Sequence, residues 1–242
     1  MARKSIVLCG LFALAASFSS FATSDSAPQV LDGLWSGVFD INGEGQFDFT
    51  ALYIGGVVSA YSVDSNVVYR GTVAGDEQQY HSDMAIFLRD GSLLATVELN
   101  GTVSEQATMI TARYLTTGKD TGTLTLNYDP LFERAVDVTE LAGLWEYTSE
   151  QLSISINVMP TGEIKGTDSA GCNYYGALEK FRAGINALSV NLELASCNMT
   201  DGHYAGMAHV GDAKTQNDTL HLHITGDHFG LYYPLHRIVL AQ

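Results

Sequence analysis

Six of the seven histidines of this chain fall between His203 and His236. In the stretch DTLHLHITGDH (218–228), His221 and His223 stand two apart on a segment that reads as a strand. Alternate residues of a strand share a face, so both imidazoles project one way while Leu220, Leu222 and Ile224 point into a core. With Asp227 and His228 at the following turn, the group His221, His223 and His228 offers the donor types that bind zinc or copper, and makes them candidate metal- or haem-handling residues. No cysteine, Glu-x-x-His pair or third ligand of fixed spacing accompanies them. The same alternation equally describes the polar face of an antiparallel strand.

A second oxygen-rich stretch, DINGEGQFD (40–48), places Asp40, Asn42, Glu44 and Gly45 at positions one, three, five and six of a calcium loop. Position twelve would be Ala51 instead of a bidentate glutamate, and the flanks read as strands, so a polar hairpin turn is the preferred reading. There is no Gly-x-Ser-x-Gly elbow and no phosphate-cradling glycine loop. No catalytic residue is therefore assigned, and the expectation is a protein without enzymatic activity or cofactor.

The elements that must carry these residues are short strands. TLHLHIT (219–225), LSVNLEL (188–194), TGTLTLNY (121–128) and ATVELNGTV (95–103) all alternate with period two. Turn dipeptides interrupt them, among them Asn42-Gly43, Asp90-Gly91, Asn100-Gly101 and Asp201-Gly202. The frame Leu-x-Gly-Leu-Trp occurs twice, at 31–35 and 141–145, and holds both tryptophans of the chain. Each frame heads a set of about eight strands, and Tyr69-Arg-Gly71 in the first set answers Tyr174-Tyr-Gly176 in the second. The expected fold is all-β: two tandem antiparallel up-and-down β-barrels, 31–128 and 141–242, joined by a linker at 129–140. Trp35 and Trp145 are expected to plug the bottoms of their barrels. Whether the modules close separately or share a sheet edge is left open at this level.

The first residues read as a secretory signal peptide, 1–22: a basic head at Arg3 and Lys4, an apolar run, and small residues at Ser20 and Ala22 that suit cleavage after Ala22, with Ser24 the alternative. Without that segment, 10 basic residues face 27 acidic ones, a formal charge of −17. Such a chain is repelled by phosphate backbones and anionic bilayers, which argues against nucleic-acid partners. No later apolar run is long enough for a transmembrane helix. Cleavage also removes Cys9, leaving Cys172 and Cys197 to form one disulfide in an oxidising compartment.

Gly-x-Trp at the start of the first strand of a short-stranded barrel resembles the calycins, the group of lipocalins and avidins. That resemblance implies a basic residue over each tryptophan, Arg237 in the second module and Arg134 in the first. GEIKGTDSAGCNYYGALEKF with LSVNLELASC (162–197) resembles the META-type domain of bacterial envelope proteins, although NMTDGHYAGMAHVG departs from the helix that usually follows there. It is similar, too, to secreted bacterial proteins built from Gly-Cys-x-Tyr-x-Gly modules. These resemblances imply an envelope or secreted protein without assigned catalysis. The plentiful tyrosines of small barrels could ring a mouth that holds a small ligand, so the expected function is binding of a small ligand or of another envelope protein in the secreted or periplasmic space. The alternative is the metal- or haem-handling protein of the histidine cluster.

Overall fold

The computed structural model describes residues 31–76, 78–88, 90–197, 200–226 and 230–239. The expected signal segment and His228 lie outside them. Sixteen antiparallel strands form two closed barrels in tandem. The first comprises β1 (Gly33–Ile41), β2 (Glu44–Ile54), β3 (Val57–Ser62), β4 (Val67–Gly75), β5 (Gln79–Leu88), β6 (Leu93–Val103), β7 (Met109–Thr116) and β8 (Thr121–Asp129). The second comprises β9 (Gly143–Thr148), β10 (Ser153–Val158), β11 (Glu163–Asp168), β12 (Asn173–Lys180), β13 (Leu188–Ala195), β14 (Gly202–Gly211), β15 (Thr219–Thr225) and β16 (Gly230–Arg237). Each strand pairs with its sequence neighbours, and β1–β8 and β9–β16 close the two circuits, so the modules share no sheet edge. Among the described residues no helix is long and apolar enough to cross a membrane.

Closure explains the repeated frame. In each module the indole N–H donates back to the frame's first leucine, Trp35 to the Leu31 carbonyl at 3.1 Å and Trp145 to Leu141 at 2.8 Å. Both rings are buried, and each starts an equivalent cross-strand row. Trp35 lies beside Ala51, then Ala60, then Tyr69; Trp145 lies beside Ile156, then Gly166, then Tyr174. Two residues past each tyrosine stands a glycine with no space for a side chain. A Cβ on Gly71 would meet the Asp83 carbonyl oxygen at 1.8 Å, and one on Gly176 the Asn191 oxygen at 2.0 Å. The echo between the modules is thus a shared packing solution.

Arg237 caps the second plug, its guanidinium 4.7 Å from the Trp145 ring centroid and donating to the Glu140 carbonyl. Arg134 does not do the same for Trp35. It reaches across to the second barrel and pairs with Asp212 at 2.7 and 2.9 Å. The reason is the path of the linker, which turns through two short 3-10 segments, Pro130–Glu133 and Val138–Leu141, and buries Phe132 between the barrels. The linker is part of the interface, and the last strand ends at Arg237.

Cys172 and Cys197 form the expected disulfide, with Cα atoms 4.4 Å apart. It joins the β11–β12 and β13–β14 connections at the end of the second barrel remote from Trp145. Cross-linking two cysteines 25 residues apart removes chain entropy worth about 3 kcal/mol from the unfolded ensemble. The double replacement Cys172→Ser/Cys197→Ser is expected to lower the unfolding free energy by that order in urea titrations of the oxidised protein, and reductant is expected to do the same to the wild type while leaving the variant unchanged.

Candidate functional site

The barrels pack side by side through outward faces of β2–β5 and β14–β16. Leu34, Leu52, Ile54, Phe132, Ile185, Ala187 and Met207 form an apolar seam at the plugged ends. Polar ties surround it: Arg182 to Asp32 at 2.7 Å, and the fully buried Asn186, which donates to the Val210 carbonyl and accepts from the Val210 N–H. Higher on the interface, Arg70 donates to the Ala205 carbonyl and to the Thr225 hydroxyl. Strands β3 and β15 are consequently buried on both faces, against their own barrel interior and against the other barrel.

The histidines lie in this interface. His221 and His223 do share a face of β15, but that face meets Tyr61 of the first barrel instead of solvent. Tyr61 stacks on Tyr232 with centroids 3.8 Å apart and meets His223 edge-on at 4.7 Å. His209, from β14, stacks on His221 in parallel, 4.4 Å between centroids and 3° between planes. A parallel stack turns ring faces toward each other, so the nitrogen lone pairs do not converge on a common point. His221 Nδ1 is engaged by the Tyr232 hydroxyl at 2.8 Å. Among the described residues no group of three or more His, Cys, Asp or Glu could hold a metal.

These imidazoles are held neutral. Burial, followed by the charges of His221 and His223, pushes the His209 pKa well below its ordinary value. Burial, then His236, lowers His221 to about 4, and burial, then His221, lowers His223 to about 3. The Ser59 backbone faces His223 and opposes that shift slightly, yet neither ring nitrogen of His223 makes a hydrogen bond of good geometry.

The calcium-loop reading resolves as a hairpin. Asn42 and Gly43 both have positive φ, at 55° and 80°, as a two-residue turn requires. The Asp40 carboxylate accepts from the Gly43 N–H at 2.8 Å and from the Thr123 N–H at 2.9 Å, so its oxygens serve the turn and the neighbouring strand.

What the structure adds is a cavity. The first barrel is open at the end opposite Trp35, where a pocket of about 220 Å³ is lined chiefly by Phe39, Phe49, Tyr69, Met84, Leu99 and Tyr114, with Leu94, Ala95 and Asp120 toward the rim. At the equivalent end of the second barrel the described residues are tied by hydrogen bonds and by the disulfide. There the Tyr174 hydroxyl donates to Asp168 at 2.9 Å, Tyr204 donates to the Thr200 carbonyl, and the disulfide spans the connections above a core filled by Ile154, Leu192, Leu194 and Ile224. A larger, more polar cleft of about 680 Å³ lies between the barrels beside Tyr147, Gln151 and Tyr232, where β9 and β16 pair through only two residue pairs.

No family model, curated protein or solved structure matches this chain. The resemblances to calycins and META-type domains accordingly rest on the sequence frames alone. Sequence reasoning pointed to tyrosines at a barrel mouth without distinguishing the two mouths. The lining residues of the first were visible only as the inward phase of their strands.

The buried imidazoles generate a pH dependence with a definite sign. Their folded-state values lie below the ordinary 6.5, so the unfolded chain binds more protons, and stability is complete above about pH 6.5 and falls as the pH drops toward 4. Each contributes at most about 1.4 kcal/mol per pH unit. His223→Leu removes a buried polar ring that satisfies no partner, so the variant is expected to match or exceed wild-type stability at pH 7.5 and to show a shallower loss between pH 6.5 and 4.5. Urea midpoints across that range measure both.

Proposed function

We propose that the protein is a non-catalytic binding protein of the secreted or periplasmic space, which takes a small, largely apolar molecule into the mouth of its first barrel. The observation that carries this reading is the contrast between two barrels built on one plan, one with a packed core tied by a disulfide, the other with an apolar cavity at its mouth. A cavity of 150 Å³ in a protein core suffices for benzene. About 220 Å³ therefore suits one aromatic ring with a short side chain. The lining is aromatic and aliphatic with a few hydroxyls, the composition expected of a site that gains affinity by removing apolar surface from water.

The second barrel acts as a support. Its packed interior, disulfide and fixed interface hold β3 and β4, two walls of the binding barrel, against a rigid neighbour. The apolar leader, the disulfide and the acidic composition support a location outside the cytoplasm.

The test is calorimetric titration of the protein with 2-phenylethanol. Binding with a negative heat-capacity change is expected. Ala95→Trp, which fills the rim from β6, is expected to weaken it at least tenfold while leaving the melting temperature within a few degrees of wild type. Saturable binding that is indifferent to Ala95→Trp, or no binding of any single-ring compound, would count against the reading.

A further inference from the structure

The cavity of the first barrel has a charged rim, and its sign constrains the occupant. Of the side chains lining the pocket, Asp120 alone carries a formal charge. It lies on the β7–β8 turn, where Asn42 donates to its Oδ1 at 3.0 Å and so fixes the carboxylate. Three further acidic residues surround the opening: Asp64 on the β3–β4 turn, Asp90 on the β5–β6 turn, and Glu44 beside the β1–β2 turn. Against these four carboxylates the same turns hold two basic residues, Lys119 and Arg89, the latter outside the described residues. Tyr114, one of the pocket's walls, has its pKa pushed up to about 12, by burial first and then by Asp40 and Asp120.

We infer that the occupant is a small ammonium compound, with an apolar ring or chain inside the barrel and a cationic head at the rim against Asp120. This rests on the proposed ligand-binding role of the first barrel and adds the charge class. An apolar body matches the deep lining of Phe39, Phe49, Met84 and Leu99. A carboxylate head, as on a fatty acid, would be placed among like charges, which disfavours it. Tyr114, in the wall of the pocket, adds an aromatic ring to which a cation is attracted. Because Asp120 is exposed, a head-group contact there is screened and contributes no more than about 1 kcal/mol, so the discrimination is several-fold in affinity and dependent on salt.

Three probes share one ring and differ at the head: 2-phenylethylamine, 2-phenylethanol and 3-phenylpropionate. Titrated into the full-length mature protein at about 20 mM salt, the amine is expected to bind tightest and the carboxylate weakest, with about a tenfold spread. At about 500 mM salt the spread should contract to roughly twofold. Asp120→Asn, which can keep the Asn42 contact, is expected to abolish the amine's advantage over the alcohol while leaving the melting temperature within a few degrees of wild type. Equal affinities for all three, or a preference for the carboxylate, would overturn the charge inference while leaving the binding function in place. A preference for the amine that persists in Asp120→Asn would overturn the role of Asp120. No binding by any of the three would remove both this inference and the reading beneath it.

Discussion

Closure of each eight-stranded sheet on itself is the constraint from which the rest of this molecule follows. A barrel of that size has an interior just wide enough for side chains to fill, and every inward residue must be chosen with the whole circuit in view. The bottom is occupied by one indole tied to the backbone four residues earlier, in the same way in both modules. Once Trp35 and Trp145 are in place, the cross-strand rows through Tyr69 and Tyr174 and the side-chain-free positions at Gly71 and Gly176 are determined by the space that remains.

The upper halves of the two interiors then diverge. In the second barrel, branched aliphatic residues and three tyrosines fill the volume, and a covalent bond between two connections fixes the lid. In the first, Ala95 and Met84 stand among aromatic rings that line a space without occupying it. Filling stabilises, since buried apolar area and close packing both favour the folded state. The first barrel forgoes part of that stabilisation at its mouth, which is the contrast on which the proposed binding role rests.

Outward faces matter as much as inward ones here, because the barrels are clamped together. Residues that would be solvated on a lone barrel are buried: Leu52 and Ile54 on one side, Met207 on the other, and the stacked rings of Tyr61, Tyr232, His209 and His221 between them. Neutral imidazoles pack well as flat, moderately polar rings, but they tie the interface to pH, since each becomes costly to bury once protonated. The ion pair of Arg182 with Asp32 joins the barrels directly, while Arg134 and Asn186 tie the linker to the second barrel through Asp212 and the Leu131 carbonyl.

The sequence by itself determined the local plan. Period-two alternation and turn dipeptides give the strands almost residue by residue, the repeated Leu-x-Gly-Leu-Trp frame divides the chain into two modules, and the two cysteines of the second module define the disulfide. These features are local or depend on counting, so a one-dimensional pattern records them. The histidine cluster shows where that record stops. Alternation placed His221 and His223 on one face correctly, but whether that face meets water, a metal or another barrel depends on partners from β3 and β14, far away in the chain. Arg134 was assigned to the first tryptophan on the strength of the repeat, and tertiary packing sent it to Asp212. The cavity is the furthest from the sequence of all: both modules show tyrosines and apolar residues at their mouths, and only the summed volume of side chains converging from most of the strands decides which mouth is full. Volume is a property of the closed barrel, and no stretch of the chain carries it alone.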